Sequence, residues 1–359
     1  MNDFETLTGL VSQYSPSGQE RGAVEWLIAR MKSLGYDDAF IDDAGNAVGV
    51  MGQGLKQIVL LGHIDTVPGE IKVERDNISL YGRGSVDAKG PLASFVDAVA
   101  QVGAKDGWQF VVIGAVEEER NSEGARFVVD QYKPHFAIIG EPNQWDRVAL
   151  GYKGSAWANV IVKRGQAHTA SGEETAAEAA VEVWLKIKAY VDSFNTDKQK
   201  VFDKLLLTLR GMESDSNDFE QWARLKVGVR LPVDVSPEAW YAKLNEILSD
   251  SHPLREGDCH FNVEPTSFAV PAWGGEKNTP LVRAFLSGIR SRGGEPRFVY
   301  KTGTADLNIV APVWKCPAVV YGPGDSALDH TPNEHISLED YTNAVAVLKA
   351  VLGGLVKRA

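Results

Sequence analysis

Cysteine is scarce in this chain: Cys259 and Cys316 are the only two in 359 residues. Nothing here suggests a disulfide scaffold, and reduced thiols are expected. No run of about 18 apolar residues occurs, so no membrane-spanning helix is expected. The opening Met1-Asn2-Asp3-Phe4-Glu5 lacks a basic segment followed by an apolar one, so a cytoplasmic address is expected. Positive charge is in deficit, with 37 Lys and Arg against 48 Asp and Glu and a formal net charge of −11. Nucleic-acid binding, which needs basic patches to neutralise phosphates, is disfavoured. Internal repeats and low-complexity tracts are absent too. What remains, 44% apolar and 24% charged residues, is an ordinary globular composition. The length exceeds the usual size of one hydrophobic core, so two domains are expected.

Several short apolar runs end in an acid or an imidazole. Ile58 to Leu61 precedes Gly62-His63, Phe110 to Val116 precedes Glu117-Glu118, and Phe136 to Ile139 precedes Gly140-Glu141. Continuous apolar runs of this length read as strands buried on both faces, the usual state of a parallel sheet covered by helices. Ligands of such sheets bind beyond the carboxyl ends of the strands. Asp87 lies in the glycine-dense loop Gly82 to Gly90, just before a helix opening near Pro91, and His330 lies in a late polar loop, Asp325 to Glu334. A capping-box pattern, Ser17-Gly-Gln-Glu20, predicts a further helix through about Leu34.

Singly, each of these residues has an ordinary explanation. His63-Ile-Asp65 can be a local polar pair, Glu117-Glu118-Glu119 a solvated acidic turn, and Asp87 a brace for its loop. Jointly, two histidines, one shareable carboxylate and two terminal carboxylates supply each of two zinc ions with one nitrogen and two oxygen contacts. Adjacent carboxylates at one strand end can also diverge, one binding metal and the next acting as a general base. Lys301-Thr-Gly-Thr304 has the wrong order for a phosphate-binding loop, and no serine or cysteine sits in a nucleophile elbow.

From Glu141 onward the pattern reads strand, helix, strand, strand, helix, strand: Trp157 to Lys163, Glu173 to Val191, Leu205 to Leu209, Ala223 to Leu231, Pro237 to Leu248 and His260 to Phe268. That order is the ferredoxin-like split pattern. The expected architecture is α/β: a catalytic domain of residues 1–152 and 274–359 with a mixed, mostly parallel sheet, and an inserted α+β lid of residues 153–273.

Gly62-His-Ile-Asp-Thr-Val-Pro68, Gly82-Arg-Gly-Ser-Val-Asp-Ala-Lys-Gly90, Glu117-Glu118, Gly140-Glu-Pro142 and the late His330, in this order, resemble the zinc-dependent aminoacylase family. That family includes acetylornithine deacetylase, succinyl-diaminopimelate desuccinylase and carboxypeptidase G. The resemblance implies a zinc-peptidase-like fold and two Zn²⁺ per chain, with Co²⁺ able to substitute. Asp87 would bridge the ions, with His63 and Glu141 on one and Glu118 and His330 on the other. It further implies Glu117 as general base, Asp65 supporting His63, and a cis peptide after Asp87. His168 would stabilise the oxyanion across a homodimer formed through the lid. Asn217, Arg230, Thr302, Gly303 and Thr304 would contact substrate. Where desuccinylases carry an arginine two residues beyond the aspartate of Gly303-Thr-Ala-Asp306, this chain has Asn308.

Tyr81 to Leu92, Gly151-Tyr-Lys-Gly154, Lys301-Thr-Gly-Thr304, Tyr321 to Asp325 and Asp329 to Glu334 are similar to one branch. Its members release lysine or ornithine from the γ-carboxyl of the terminal glutamate of an acidic amino-group carrier protein. For that partner Arg290, Arg292, Arg297 and Lys301 would form a docking patch. A deacetylase of N-acetyl-lysine or N-acetyl-ornithine is the alternative, and a non-catalytic dimeric binding module a more remote one. No nucleic acid or membrane is an expected partner.

Overall fold

The computed structural model describes residues 4–166, 168, 170–251, 259–266 and 268–357. Met1 to Asp3, Ala167 beside His168, and Ser267 of the last expected lid strand are among those outside the described residues. The chain divides into two compact units. The first comprises residues 1–151, 275–300 and 305–359, and the second residues 152–274 and 301–304. Lys301 to Thr304 thus groups with the second unit, outside the expected range 153–273.

In the first unit the main sheet runs, in spatial order, Asp38–Ile41, Ala47–Met51, Trp108–Ala115, Lys56–His63, Phe136–Gly140, Ala318–Val320 and Arg147–Tyr152. The four strands from Trp108–Ala115 to Ala318–Val320 are mutually parallel. This is the mixed, mostly parallel sheet expected from the continuous apolar runs. Ile58 to Leu61, Phe110 to Ile113 and Ala137 to Ile138 are inaccessible to solvent, because helices cover both faces. Lys89–Val102, Pro280–Ser291 and Leu338–Val356 supply much of that cover.

Helix Arg21–Ser33 forms where expected, but its N-terminus has no side-chain cap. The Ser17 hydroxyl donates instead to Asp65 Oδ2 at 2.7 Å, and Glu20 Oε1 accepts the Gly18 N–H at 2.9 Å. A capping box does occur at Thr175 and Glu178, opening helix Ala176–Asn195.

The second unit is a four-stranded antiparallel sheet in the order Leu206–Ser216, Glu220–Leu231, Gly154–Gly165 and His260–Pro265. Helices Ala176–Asn195 and Pro237–Ser251 pack on one face, over Ala156, Ala158, Val160, Val162, Leu225, Val227 and Val229. The element order is the split pattern read from the alternation.

Phe95 ties the first unit's packing to its strand ends. Its side chain is fully buried, and a Cβ added at Gly140 would meet its ring at 2.9 Å. Helix Lys89–Val102 therefore seats closely against the strand preceding Glu141. Phe95→Ala is expected to cost about 3–5 kcal/mol, from lost burial and the cavity left behind. Urea unfolding of the isolated variant measures this. A loss below about 1 kcal/mol, the scale of a conservative core swap, shows that the contact is not structural.

Candidate metal centre

Three adjacent strands end level. Gly62 pairs in register with Gly114 on one side and Gly140 on the other, and His63 with Ala115. His63, the Glu117-to-Glu119 turn and Glu141 therefore leave the sheet along one edge. A small three-stranded sheet, His335–Ser337, Ser79–Tyr81 and Glu74–Arg75, holds the Asp87 loop beside the His330 loop. The Asp87–Ala88 peptide is cis, as the resemblance implied.

Asp87 stands between two imidazoles. Its Oδ1 lies 3.1 Å from His63 Nε2, and its Oδ2 lies 3.0 Å from His330 Nε2. His330 Nε2 is also 2.9 Å from Glu119 Oε1. Two donor groups result, His63 with Asp87 and Glu141, and Asp87 with Glu119 and His330, each with ligand atoms within 4.8 Å of one another.

Glu119, one residue beyond the expected Glu118, makes the contact with His330. The cause is local backbone geometry. Glu117 adopts a left-handed conformation (φ 59°), and its carbonyl accepts the N–H groups of Arg120, Asn121 and Ser122. Asp65 Oδ1 accepts the Glu118 N–H at 3.1 Å, and its Oδ2 accepts that of Glu119 at 3.1 Å. This tight turn sets Glu117 near Arg120 at 3.8 Å. Asp65 approaches His63 Nδ1 at 3.3 Å, while its own carbonyl oxygen lies 3.0 Å from the same nitrogen. It thus orients the imidazole and the acidic turn together.

The charges around Asp87 are crowded. Burial, opposed by His63 and reinforced by Glu141, Asp306 and Glu119, pushes Glu118 well above the usual carboxylate range. Burial likewise lifts Glu141 well up, against His63 and with Asp87, Asp306 and Asp329. Asp306, at the start of helix Leu307–Trp314, is raised by burial to about 6. Burial disfavours charge on His63, yet hydrogen bonds to Asp65 and Asp87 raise it well above an ordinary histidine. Hydrogen bonds to Asp87 and Glu119 lift His330 to about 10. Divalent cations would offset such a concentration of carboxylate around two imidazoles. Ligand atoms about 2.0–2.2 Å from one tetrahedral ion lie about 3.3 Å apart, close to the separations around Asp87. The mixed nitrogen and oxygen donors suit zinc and similar divalent ions.

Glu334, Arg83 and Lys89 hold the Asp87 loop, and no role for Glu334 or Arg83 was read from the sequence. Glu334 Oε1 accepts the N–H groups of Val86 at 2.9 Å and Asp87 at 3.1 Å, and its Oε2 accepts from Arg83 Nη1 at 2.7 Å. Arg83 Nε donates to the Gly69 carbonyl at 3.0 Å. Lys89 is buried and donates to the Gln13 carbonyl; burial, against Glu334 and Asp65, lowers it to about 7. The sequence signals for Glu334 were its place four residues after His330 and its position at the end of the Asp329-to-Glu334 segment.

The remaining expected residues lie in the second unit. His168 is exposed, and its Nδ1 accepts the Ala170 N–H at 3.1 Å. Asn217 Oδ1 accepts the N–H groups of Phe219 at 2.9 Å and Glu220 at 2.8 Å, so this side chain shapes a hairpin turn. Arg230 Nη1 donates to Thr304 Oγ1 at 3.3 Å. Thr302 is exposed, and Gly303 borders open space.

A carboxylate shared between two imidazoles, at the carboxyl edge of a parallel sheet, defines a metallohydrolase of the paired-ion class. The chain belongs to peptidase family M20/M25/M40, whose model matches residues 59–353. It is 40% identical to the LysW-lysine hydrolase of Deinococcus radiodurans, over 98% of this chain and 96% of that one. Among solved structures, aminopeptidase PepT from Bacillus cereus matches with a TM-score of 0.79 at 20% identity, covering 98% of this chain and 97% of that one. A dinuclear metal-binding M20 peptidase from Bacillus subtilis matches with a TM-score of 0.73 at 12% identity, covering 99% and 98%.

Glu334→Ala is expected to weaken metal binding about 10–100-fold, as loss of an outer partner of a ligand does. It should also cost about 3–5 kcal/mol of stability, because Arg83 stays buried without its anion. Titration calorimetry and urea unfolding read these separately. A folded variant with unaltered metal affinity removes the positioning role. Metal binding must also displace protons from His63 and His330, whose affinities for protons are raised. Metal affinity should therefore fall as pH drops from 8 to 6, by about tenfold per unit for each proton displaced. Calorimetry in buffers of different ionisation enthalpy counts those protons, and a count of zero contradicts the assignment.

Proposed function

We propose that the chain hydrolyses the amide joining lysine or ornithine to the γ-carboxyl of the terminal glutamate of an acidic amino-group carrier protein. The observation that carries this reading is the 40% identity to LysW-lysine hydrolase across 98% of the chain. His63, Asp87 and Glu141 would hold one Zn²⁺, and Asp87, Glu119 and His330 a second. Bound there, the cations would supply Lewis acidity for the amide carbonyl and for a water molecule.

The chain's own groups do the rest. Glu118, beside Glu119 and enclosed with Glu141 and Asp306, takes the water's proton at its carboxylate and returns it to the nitrogen of the leaving amine. The deprotonated water oxygen bonds to the amide carbon, and the C–N bond breaks as that nitrogen is protonated. Its raised proton affinity suits this exchange. The role expected for Glu117 therefore passes to Glu118, and that of Glu118 to Glu119. Asp65 keeps His63 and the acidic turn in place. Arg230, Asn217 and Thr302 to Thr304 bind substrate, and His168 stabilises the oxyanion between two copies of the chain. Val181 and Leu185 are exposed at 44% and 56%, one helical turn apart, which supports pairing through this unit. No helix among the described residues is long and apolar enough to cross a membrane. With only two cysteines, we place the enzyme in the cytoplasm.

Protein of measured zinc content, assayed on carrier-linked lysine, carrier-linked ornithine and N-acetyl-lysine, tests the reading. Carrier-linked substrate is expected to be preferred; turnover of the acetylated amino acid alone makes the chain a deacetylase. Glu118→Gln should keep its metal and lose about 10²–10⁴-fold in kcat. Glu119→Ala should lose about half of its bound metal, and Glu117→Gln should keep both metal and activity. An inactive Glu117→Gln beside an active Glu118→Gln reverses the assignment.

A further inference from the structure

The helix-free face of the second unit's sheet carries a cationic patch whose full extent the roles above leave unused. Along Gly154–Gly165, Ala156 and Ala158 turn to the helices, so Trp157 turns the other way. Gly228 stands opposite Trp157 in register, and a Cβ there would lie 2.1 Å from the indole ring. Only glycine lets that ring lie flat across the neighbouring strand. Trp157 Nε1 donates to Ser155 Oγ at 3.0 Å, which fixes the ring further.

Arg210 sits where the pairing of Leu206–Ser216 slips between Leu209 and Gly211. Its guanidinium carbon lies 5.1 Å from the centre of the Trp157 ring. Arg230, two residues beyond Gly228 and so on the same face, reaches Thr304 Oγ1 at 3.3 Å. Other cations on this face are already neutralised. Glu213 pairs with Arg224 at 3.6 Å and with Lys226 at 2.6 Å. Among the described residues no carboxylate pairs with Arg210 or Arg230. Burial, and after it the charge of Arg210, lowers the proton affinity of Arg230, so the two guanidiniums sense each other.

Two like charges held together without a counterion repel, and an anion between them relieves the repulsion. A guanidinium stacked on an aromatic ring is pre-oriented, and its planar fork matches a carboxylate. We propose that Arg210, stacked on Trp157, forms with Arg230 a carboxylate-binding site for a ligand bearing two carboxylates, one on each side of an amide. This rests on the reading of the preceding subsection, and the chemistry of that substrate fits it. A γ-linked glutamate keeps its α-carboxylate free, and the attached lysine keeps its own. An acetylated lysine has only the second. Arg210 is then the residue that distinguishes a γ-glutamyl from an acetyl group.

The test compares wild type with Arg210→Gln and Arg210→Lys, each checked for fold by circular dichroism. The ratio of kcat/KM for carrier-linked lysine to that for Nα-acetyl-lysine is measured, with calorimetric binding of γ-glutamyl-lysine as a second readout. Loss of one charge-assisted contact should lower the ratio and the affinity in Arg210→Gln on the order of tenfold to a hundredfold. The change should sit mainly in KM. Arg210→Lys, which keeps charge but not the fork, should recover part of it. A ratio and an affinity unchanged in Arg210→Gln overturn the site while leaving the hydrolase reading intact. Wild type that fails to cleave carrier-linked lysine overturns the hydrolase reading and, with it, the ligand assigned here.

Discussion

Asp87 is the point on which the first unit's chemistry depends. One carboxylate faces two imidazoles that come from opposite ends of the chain, His63 and His330. A carboxylate serves both only if its backbone is held from behind. Glu334 does this, taking the N–H groups of Val86 and Asp87 on one oxygen and Arg83 on the other. An isolated buried carboxylate would be costly, but here each oxygen of Glu334 is satisfied and its charge is matched by Arg83. The pair consequently stabilises the geometry of a loop rather than the fold at large.

The parallel sheet solves a second problem, the gathering of like charges. His63, the adjacent Glu118 and Glu119, and Glu141 come from three separate segments, and the level ends of three strands bring them to one edge. Mutual repulsion would drive these carboxylates apart were the strands free to move. Packing opposes that movement: Phe95 is fully buried against Gly140, and the strands behind the site are inaccessible to solvent. Hydrophobic burial thus holds an electrostatic arrangement that would not form alone.

Much of this was legible because strand runs and their terminal residues are written in consecutive positions. Ile58 to His63 and Phe136 to Glu141 show both the strand and the functional group that follows it. The Glu117-to-Glu119 triplet did not yield in the same way. Three identical side chains carry no information about which one turns inward. That choice is made by the left-handed backbone at Glu117 and by Asp65 accepting from the two following N–H groups. Neither is visible in local pattern. Glu334 was obscure for a similar reason, since its partners Arg83, Val86 and Asp87 lie roughly 250 residues away, at separations of 251, 248 and 247. The Ser17 pattern misled because a short hydroxyl can cap a helix or reach a buried acid, and Asp65 was the stronger partner.

The second unit shows the same principle in reverse. Its burial alternates, so the buried face could be read from Ala156, Ala158, Val160 and Val162, but the open face looked like ordinary solvent-facing polarity. What separates Arg210 from Arg224 or Lys226 is the company each keeps. Arg224 also lies over an indole, that of Trp222, but Glu213 answers both it and Lys226, while Arg210 over Trp157 has no carboxylate partner among the described residues. An arginine facing solvent over a flexible surface would adapt to any anion. Held over Trp157, with Arg230 on the same face of the sheet, it favours a ligand carrying two negative charges over one with a single carboxylate.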